Sequence, residues 1–224
     1  MQPTTILRSY GRTQGRKLKP AKAALVETML GNLLIDEQDF TLPTLFDNNN
    51  PIWFEIGFGA GEHIAYQAAQ HRNINFIGCE PYLNGVADLL GKVQKQEITN
   101  LRLYENDARI LLEKLPDHAL ERIFLLFPDP WRKKRHYKRR IISQATLALF
   151  HSKLTKGGLL RIATDHYDYC AWILEQLFLF PAFEWQANTA KDFEQPPQDW
   201  VKTRYQQKAE AENRKPSFLD YVKL

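Results

Sequence analysis

The residue types in this chain most capable of chemistry stand at the ends of its apolar runs. Glu55 closes the run IWFE and is followed by Gly57, Gly59 and Gly61, a glycine turn that opens an amphipathic stretch. Glycine lets the backbone reverse sharply and lets a ligand approach without a Cβ in the way. Such a turn suits a nicotinamide dinucleotide as well as S-adenosylmethionine. Two acids favour the latter. At Glu55 a carboxylate repels a pyrophosphate and can face an ammonium or sulfonium, and Asp107, closing a third run, offers its carboxylate or a neighbouring amide to adenine. Glu80 closes the second run, where a carboxylate accepts both hydroxyls of a ribose, a role that serves either cofactor.

Residues 127–140, FPDPWRKKRHYKRR, hold the sharpest local pattern. Pro128 and Pro130 fix their own φ and restrict the residues before them, so Asp129 sits on a backbone of little freedom, suited to holding a reacting base. Trp131 has two readings, a platform for a base or a cover for the sheet edge. Residues 131–140 carry seven Lys or Arg and no acid, which fits phosphate contact better than a solvated helix face. Within that run His136 reads as a surface contact and not a general base. Asp165, in ATDH, falls beside the same cleft, with a helix N-cap as its alternative role. The tail segment KTRYQ combines hydroxyl, guanidinium and ring, and a capping turn on a surface helix is the competing explanation. His63 and His166 read as structural.

The formal charge of +4 conceals a segregation. Residues 1–22 carry six Lys or Arg and no acid, and together with the basic decapeptide they leave the rest of the chain net acidic. Cations gathered in this way point to a polyanionic partner. A composition 44% hydrophobic and 25% charged excludes wholesale disorder. No stretch reaches the roughly eighteen apolar residues of a bilayer span, and the first residues lack the apolar core of a signal peptide. Cys79 and Cys170 are too few for a disulfide framework and read as reduced core residues of a cytoplasmic protein. There is neither a CxxC pair nor HExxH, and the six histidines are scattered, so no metal site is expected.

From Pro51 onward, short apolar runs alternate with amphipathic stretches. Strands are expected at residues 52–57, 73–80, 100–107, 122–130, 159–165 and 182–186, and helices at 62–69, 83–96, 109–114, 139–154 and 167–178. A helix over 22–34 and a loop over 39–50 precede them. A Pro- and Gln-rich loop over 188–200, a helix over 203–213 and a strand over 218–224 follow. This alternation predicts an α/β fold with a mostly parallel central sheet, helices on both faces, and ligands at the carboxyl ends of the strands. Residues 1–20, polar and basic, are expected as a flexible arm, and 21–224 as a single domain.

With these residues in view, the chain resembles the bacterial tRNA (guanine-N7)-methyltransferase family. The segments that carry the resemblance are RSYGR at 8–12, EIGFGAGEH at 55–63, FPDPWRKKRHYKRR at 127–140, ATDHYDY at 163–169 and TRYQQKAEAENRKP at 203–216, in family order and spacing. The resemblance implies a Rossmann-like class I methyltransferase fold, S-adenosylmethionine as cofactor and a guanosine of the tRNA variable loop as target. It implies Glu55, Glu80, Asp107 and Asp129 as cofactor-binding acids, with Asp129 also the active-site residue. Lys133, Asp165, Thr203, Arg204, Tyr205 and Gln206 match substrate-binding positions, which makes residues 188–224 a substrate-contacting segment. Arg135, His136, Tyr137, Lys138, Arg139 and Arg140 match the RNA-contacting stretch. Family members commonly carry Glu where this chain has Gln206, which keeps hydrogen-bonding reach and loses the charge. The resemblance implies tRNA as partner; no membrane and no obligatory protein partner are expected, and the sequence leaves monomer and homodimer open. Two rivals are set apart by specific features. An enzyme acting on an exocyclic amine of DNA carries Asn/Asp-Pro-Pro-aromatic where this chain has Pro-Asp-Pro-Trp, and a non-catalytic RNA-binding protein needs no intact cofactor cleft.

Overall fold

The structure, a computed structural model, describes residues 15–38 and 40–224. Most of the expected arm, including the RSYGR segment at 8–12, lies outside the described residues.

The chain enters through α1 (Pro20–Met29) and a short α2 (Leu42–Phe46), and then repeats a strand-then-helix unit. β1 (Ile52–Ile56) leads to α3 (Glu62–Gln70), β2 (Asn75–Cys79) to α4 (Leu83–Gln96), and β3 (Leu101–Tyr104) to α5 (Ala108–Lys114). β4 (Leu120–Leu126) leads through a 3₁₀ segment, Lys134–Arg139, to α6 (Gln144–Lys153), and β5 (Leu154–Thr164) leads to α7 (Tyr167–Phe178). β6 (Phe183–Trp185), α8 (Lys191–Glu194), α9 (Arg204–Ala211) and β7 (Ser217–Lys223) complete the order.

The strands form one sheet in the order β3-β2-β1-β4-β5-β7-β6. The five from β3 to β5 run parallel, and β7 lies antiparallel between β5 and β6. β1 and β2 are buried at every position, as strands covered on both faces must be. Alternate side chains divide the core. Phe54, Ile56, Ile77, Leu125 and Ile162 meet α5, α6 and α7 on one face, while Trp53, Phe76, Leu103, Phe124 and Ala163 meet α3 and α4 on the other. Strand order reverses between β1 and β4, so the loops after these two strands diverge and leave a crevice. This is the expected Rossmann-like architecture.

Several boundaries differ from the sequence reading. The loop expected over 39–50 contains α2, because the Thr41 amide and the Thr44 hydroxyl close a capping box and Leu45 and Phe46 are buried. The helix expected over 22–34 begins earlier, at Pro20, which needs no amide partner at the first helical position, and is over by Met29. The helix expected from 139 begins at Gln144, capped by Ser143, whose hydroxyl accepts from the Thr146 amide. The cations before it form the 3₁₀ segment instead. β5 starts five residues before its expected position, running through Gly157 at φ 73° with a register shift against β4.

Candidate active site

A cleft of about 450 Å³ opens at the carboxyl ends of β1 to β4, lined by Gly57, Gly59, Glu80, Asp107, Asp129, Trp131, Arg139, Arg204 and Tyr205 among others. The turn after β1 forms its floor. Gly57 has φ 70°, and a Cβ built there meets nothing within 4 Å, so bare backbone faces open space. Beneath it, Gly85 of α4 lets two main chains approach, since a Cβ on it would stand 2.2 Å from the Gly59 carbonyl oxygen. Gly85→Ala is therefore expected to displace the floor loop and weaken donor binding at least tenfold by calorimetry. Gly61, the third glycine of the turn, caps α3 and packs near Leu89.

Glu80 is the best placed of the acids. It is 9% exposed, its Oε2 accepts from the Gly59 amide at 2.8 Å and its Oε1 from the Tyr82 amide at 3.0 Å. Burial pushes its carboxyl up, the two amides oppose this, and the charges of Asp129 and Glu55 add to the rise. Each oxygen keeps lone-pair capacity for a further donor, as two vicinal hydroxyls would supply. Asp107 is already committed. It caps α5 through the Arg109 amide, and its two oxygens accept from Arg109 Nε at 2.9 Å and Nη2 at 2.6 Å. Burial works against the charge, but these Arg109 bonds win and hold the carboxyl below its usual range. Asn106 and Ala108, its chain neighbours, line the cleft beside it.

Glu55 lies behind the wall. It is 4% exposed, its Oε2 sits 2.7 Å from His63 Nδ1, and it is not among the residues that line the cleft. His63 Nε2 meets Gln67 Nε2 at 3.4 Å, and the same amide donates to the Asp199 carbonyl at 2.8 Å. Gln67 is the donor there, so His63 accepts at Nε2 and donates from Nδ1 to Glu55. Glu55, expected to face a ligand's positive end, is here bonded to His63 behind the cleft lining, and its charge helps to raise the Glu80 carboxyl.

Asp129 stands on the opposite lip, exposed between its two prolines. The residues on either side of the triplet, Phe127 at φ 53° and Trp131 at φ 45°, are both left-handed without being glycine, a backbone state that costs of order 1–3 kcal/mol and persists only where the surroundings enforce it. The Phe127 amide is fixed to the Ala163 carbonyl at 2.7 Å. Desolvation raises the Asp129 carboxyl. Trp131 lines the cleft, edge-on to His136 at 5.8 Å and with the Arg139 guanidinium 4.9 Å from its ring centre.

The basic run is divided by the fold. Arg132, Lys133, Lys134, Arg135 and Lys138 are exposed, and Arg139 is half-buried on the cleft wall. Arg140, expected as an RNA contact with the others, is 4% exposed and packed among rings, which sets it apart from the exposed cations of the run. His136 and Tyr137 are half-buried within the 3₁₀ segment.

The tail meets the cleft through two of its four expected residues. Tyr205 lies over Gly59, and burial together with the charges of Glu80 and Asp129 raises its hydroxyl. Arg204 reaches Glu62 and Asp88 at 3.4 Å each. Thr203 turns inward, its hydroxyl capping α9 by accepting from the Gln206 amide at 3.2 Å. Gln206 is 7% exposed, with Oε1 accepting from Trp200 Nε1 at 2.6 Å and Nε2 donating to Glu210 at 2.9 Å. Asp165 is not the N-cap of α7, a position held by His166; its carboxylate instead accepts from Arg214 Nε at 2.7 Å. Sequence reasoning missed Arg214 and Trp200 as partners. Arg214 lies inside the TRYQQKAEAENRKP segment, where it was legible, whereas nothing near Trp200 marks it out. Among the described residues no three His, Cys, Asp or Glu side chains converge as a metal site requires.

A glycine-floored cleft at the reversal of a parallel sheet, with an acid on each lip, is the cofactor site of a Rossmann-like fold, and likeness to known proteins places that fold among the methyltransferases. A family profile described as "Putative methyltransferase" matches residues 49–219. The tRNA (guanine-N(7)-)-methyltransferase of Zymomonas mobilis is 46% identical over 99% of this chain and 96% of its own. The enzyme of the same name from Roseobacter denitrificans is 41% identical over 96% and 95%. Among solved structures, the 16S rRNA methyltransferase KamB shares the fold with a TM-score of 0.61 at 13% identity, over 83% of this chain and 95% of its own. The chain belongs to the tRNA (guanine-N7)-methyltransferase family.

Proposed function

We propose that this chain methylates N7 of a guanosine in the variable loop of tRNA, with S-adenosylmethionine as donor, in the cytoplasm. The observation that carries the reading is the convergence of Glu80 and Asp129 on one cleft that Trp131 and Arg139 also line, the chain between those two bearing the exposed cations Arg132 to Arg135. The names of the close relatives support the target atom.

The cleft fits the donor. The open backbone at Gly57 suits a close-approaching chain of atoms, Glu80 suits a ribose diol, and the edge by Asn106 and Ala108 suits a flat base. When bound, S-adenosylmethionine supplies an electrophilic methyl on a sulfonium. Guanine N7 carries an in-plane lone pair and no proton, so the protein need not provide a general base. It must hold the purine in line and tolerate the positive charge that grows on it. Asp129 faces that charge from a loop with little freedom. Lys133 and its neighbours hold the backbone, and Asp165, oriented by Arg214, supports the substrate side.

Asp129 performs this role only when ionised. Because desolvation raises its carboxyl, the protonated form persists to higher pH than for a free aspartate. The single-turnover rate is therefore expected to fall on the acid side, with a midpoint above the ordinary aspartate value. A flat profile through that range would remove Asp129 from the charge-bearing role.

Methyl transfer assayed side by side on unmodified tRNA and on duplex DNA tests the substrate, with product expected on tRNA alone. Calorimetry with S-adenosylmethionine tests the donor, and an absence of binding there would leave only an RNA-binding protein.

A further inference from the structure

Arg140 closes the basic run, and by charge alone it belongs with the phosphate contacts. The fold sets it apart. It is 4% exposed, and its guanidinium lies 3.6 Å from the ring centre of Tyr137, 5.0 Å from that of Tyr169 and 5.2 Å from that of Trp172. Among the described residues no carboxylate pairs with it in a salt bridge, and its buried Nη2 has no hydrogen-bond partner. A buried cation without a counter-charge is costly, and three ring faces offset only part of that cost. Among the described residues its one directed bond is from Nε to the carbonyl of Pro130 at 2.9 Å.

That carbonyl lies between Asp129 and Trp131, in a loop strained at Phe127 and again at Trp131. Strain of this kind relaxes unless several contacts enforce it. On the β5 side the loop is held by the bond from the Phe127 amide to Ala163, and on the far side by Arg140. Tyr137, Tyr169 and Trp172 surround the guanidinium, and Trp172 is itself anchored through Nε1 to the Ile142 carbonyl at 2.9 Å.

We propose that Arg140 is a positioning residue for methyl transfer, which holds the Asp129–Trp131 turn in register from behind, and that it takes no part in binding RNA. The proposal rests on the tRNA reading given above. It separates two properties that a phosphate contact would join, affinity for tRNA and rate at saturation.

Arg140→Lys is the discriminating variant, because it keeps the charge that a phosphate contact needs and loses the planar guanidinium and the Nε bond. Arg140→Met removes the charge as well. For a variant with the wild-type near-ultraviolet circular dichroism spectrum, the rate at saturating tRNA is expected to fall by between tenfold and about a hundredfold, the scale of a small misplacement of reacting groups. The dissociation constant for tRNA should stay within twofold of wild type, and so should its dependence on salt. Arg135→Ala, by contrast, should reduce the slope of log affinity against log salt by about one. Should Arg140→Met fail to fold, Arg140→Lys carries the test alone. A wild-type rate in Arg140→Lys, or a weakened affinity with a reduced salt slope in either variant, overturns the proposal. A wild-type control that leaves no methyl on tRNA overturns the substrate reading and this inference with it, whereas an active wild type alongside an equally active Arg140→Lys overturns the inference alone.

Discussion

Asp129→Ala is expected to lower the single-turnover rate of methyl transfer by about 10²- to 10³-fold, the range seen when one preorganised electrostatic group is removed from a site. The loss should fall almost entirely on the rate. Asp129 stands on the lip of the cleft, among the described residues no cation is bonded to its carboxylate, and the floor formed by Gly57, Gly59 and Glu80 does not depend on it. The donor's dissociation constant should therefore change only a few-fold. The fold should also tolerate the change, because the residue is exposed and the prolines on either side define the loop. Asp129→Asn is the sharper variant, since it keeps the size and loses only the charge. A near wild-type rate in Asp129→Asn would mean that growing charge on the purine is balanced elsewhere.

Glu80→Ala is expected to act on binding. The carboxylate joins the Gly59 amide to the Tyr82 amide, and its free lone pairs face the cleft. Hydrogen bonds to a charged acceptor contribute about 1.5–3 kcal/mol each, so losing two to a ribose corresponds to roughly 10²- to 10⁴-fold in the donor's dissociation constant. The two amides left without an acceptor add a stability loss of about 1–3 kcal/mol each if they stay buried. Asp107→Asn should cost far less affinity. Its carboxylate is already bonded on both oxygens to Arg109, and asparagine is itself a good helix cap. Calorimetric titration of the three proteins with S-adenosylmethionine should thus rank wild type and Asp107→Asn close together, with Glu80→Ala well apart. Equal losses at Glu80 and Asp107 would argue against the ribose assignment.

The framework of the fold was legible because parallel strands buried on both faces leave continuous apolar runs, and the sequence from Pro51 to Phe178 shows them one after another. α4 and α7 coincide with their expected bounds. The expected boundaries failed where local polar contacts decide them. The Thr41–Thr44 box makes a helix inside a polar loop, and Ser143 delays α6 until the basic run has passed. Strand-end position identified Glu80 and Asp129 as cleft residues because the carboxyl end of a parallel strand meets the crevice. The same rule failed for Glu55, which lies one residue before the end of β1. Side chains alternate along a strand, so it points to the face where α3 and His63 wait. Charge counting treated Arg140 as one of seven equal cations, and the rings that bury it come from α7 as well as from its own segment, which no local pattern reveals. Thr203 and Gln206 show the same limit: residue type suited a ligand contact, and packing directed both side chains inward.

The most direct test of the central claim is to locate the methyl group. Unmodified tRNA incubated with the protein and methyl-labelled S-adenosylmethionine, then treated by mild reduction and aniline, should break at a single labelled guanosine in the variable loop, because only a ring-cationic purine is lost under that treatment. Label recovered on an exocyclic amine or on a ribose, with the strand uncut, would contradict the account.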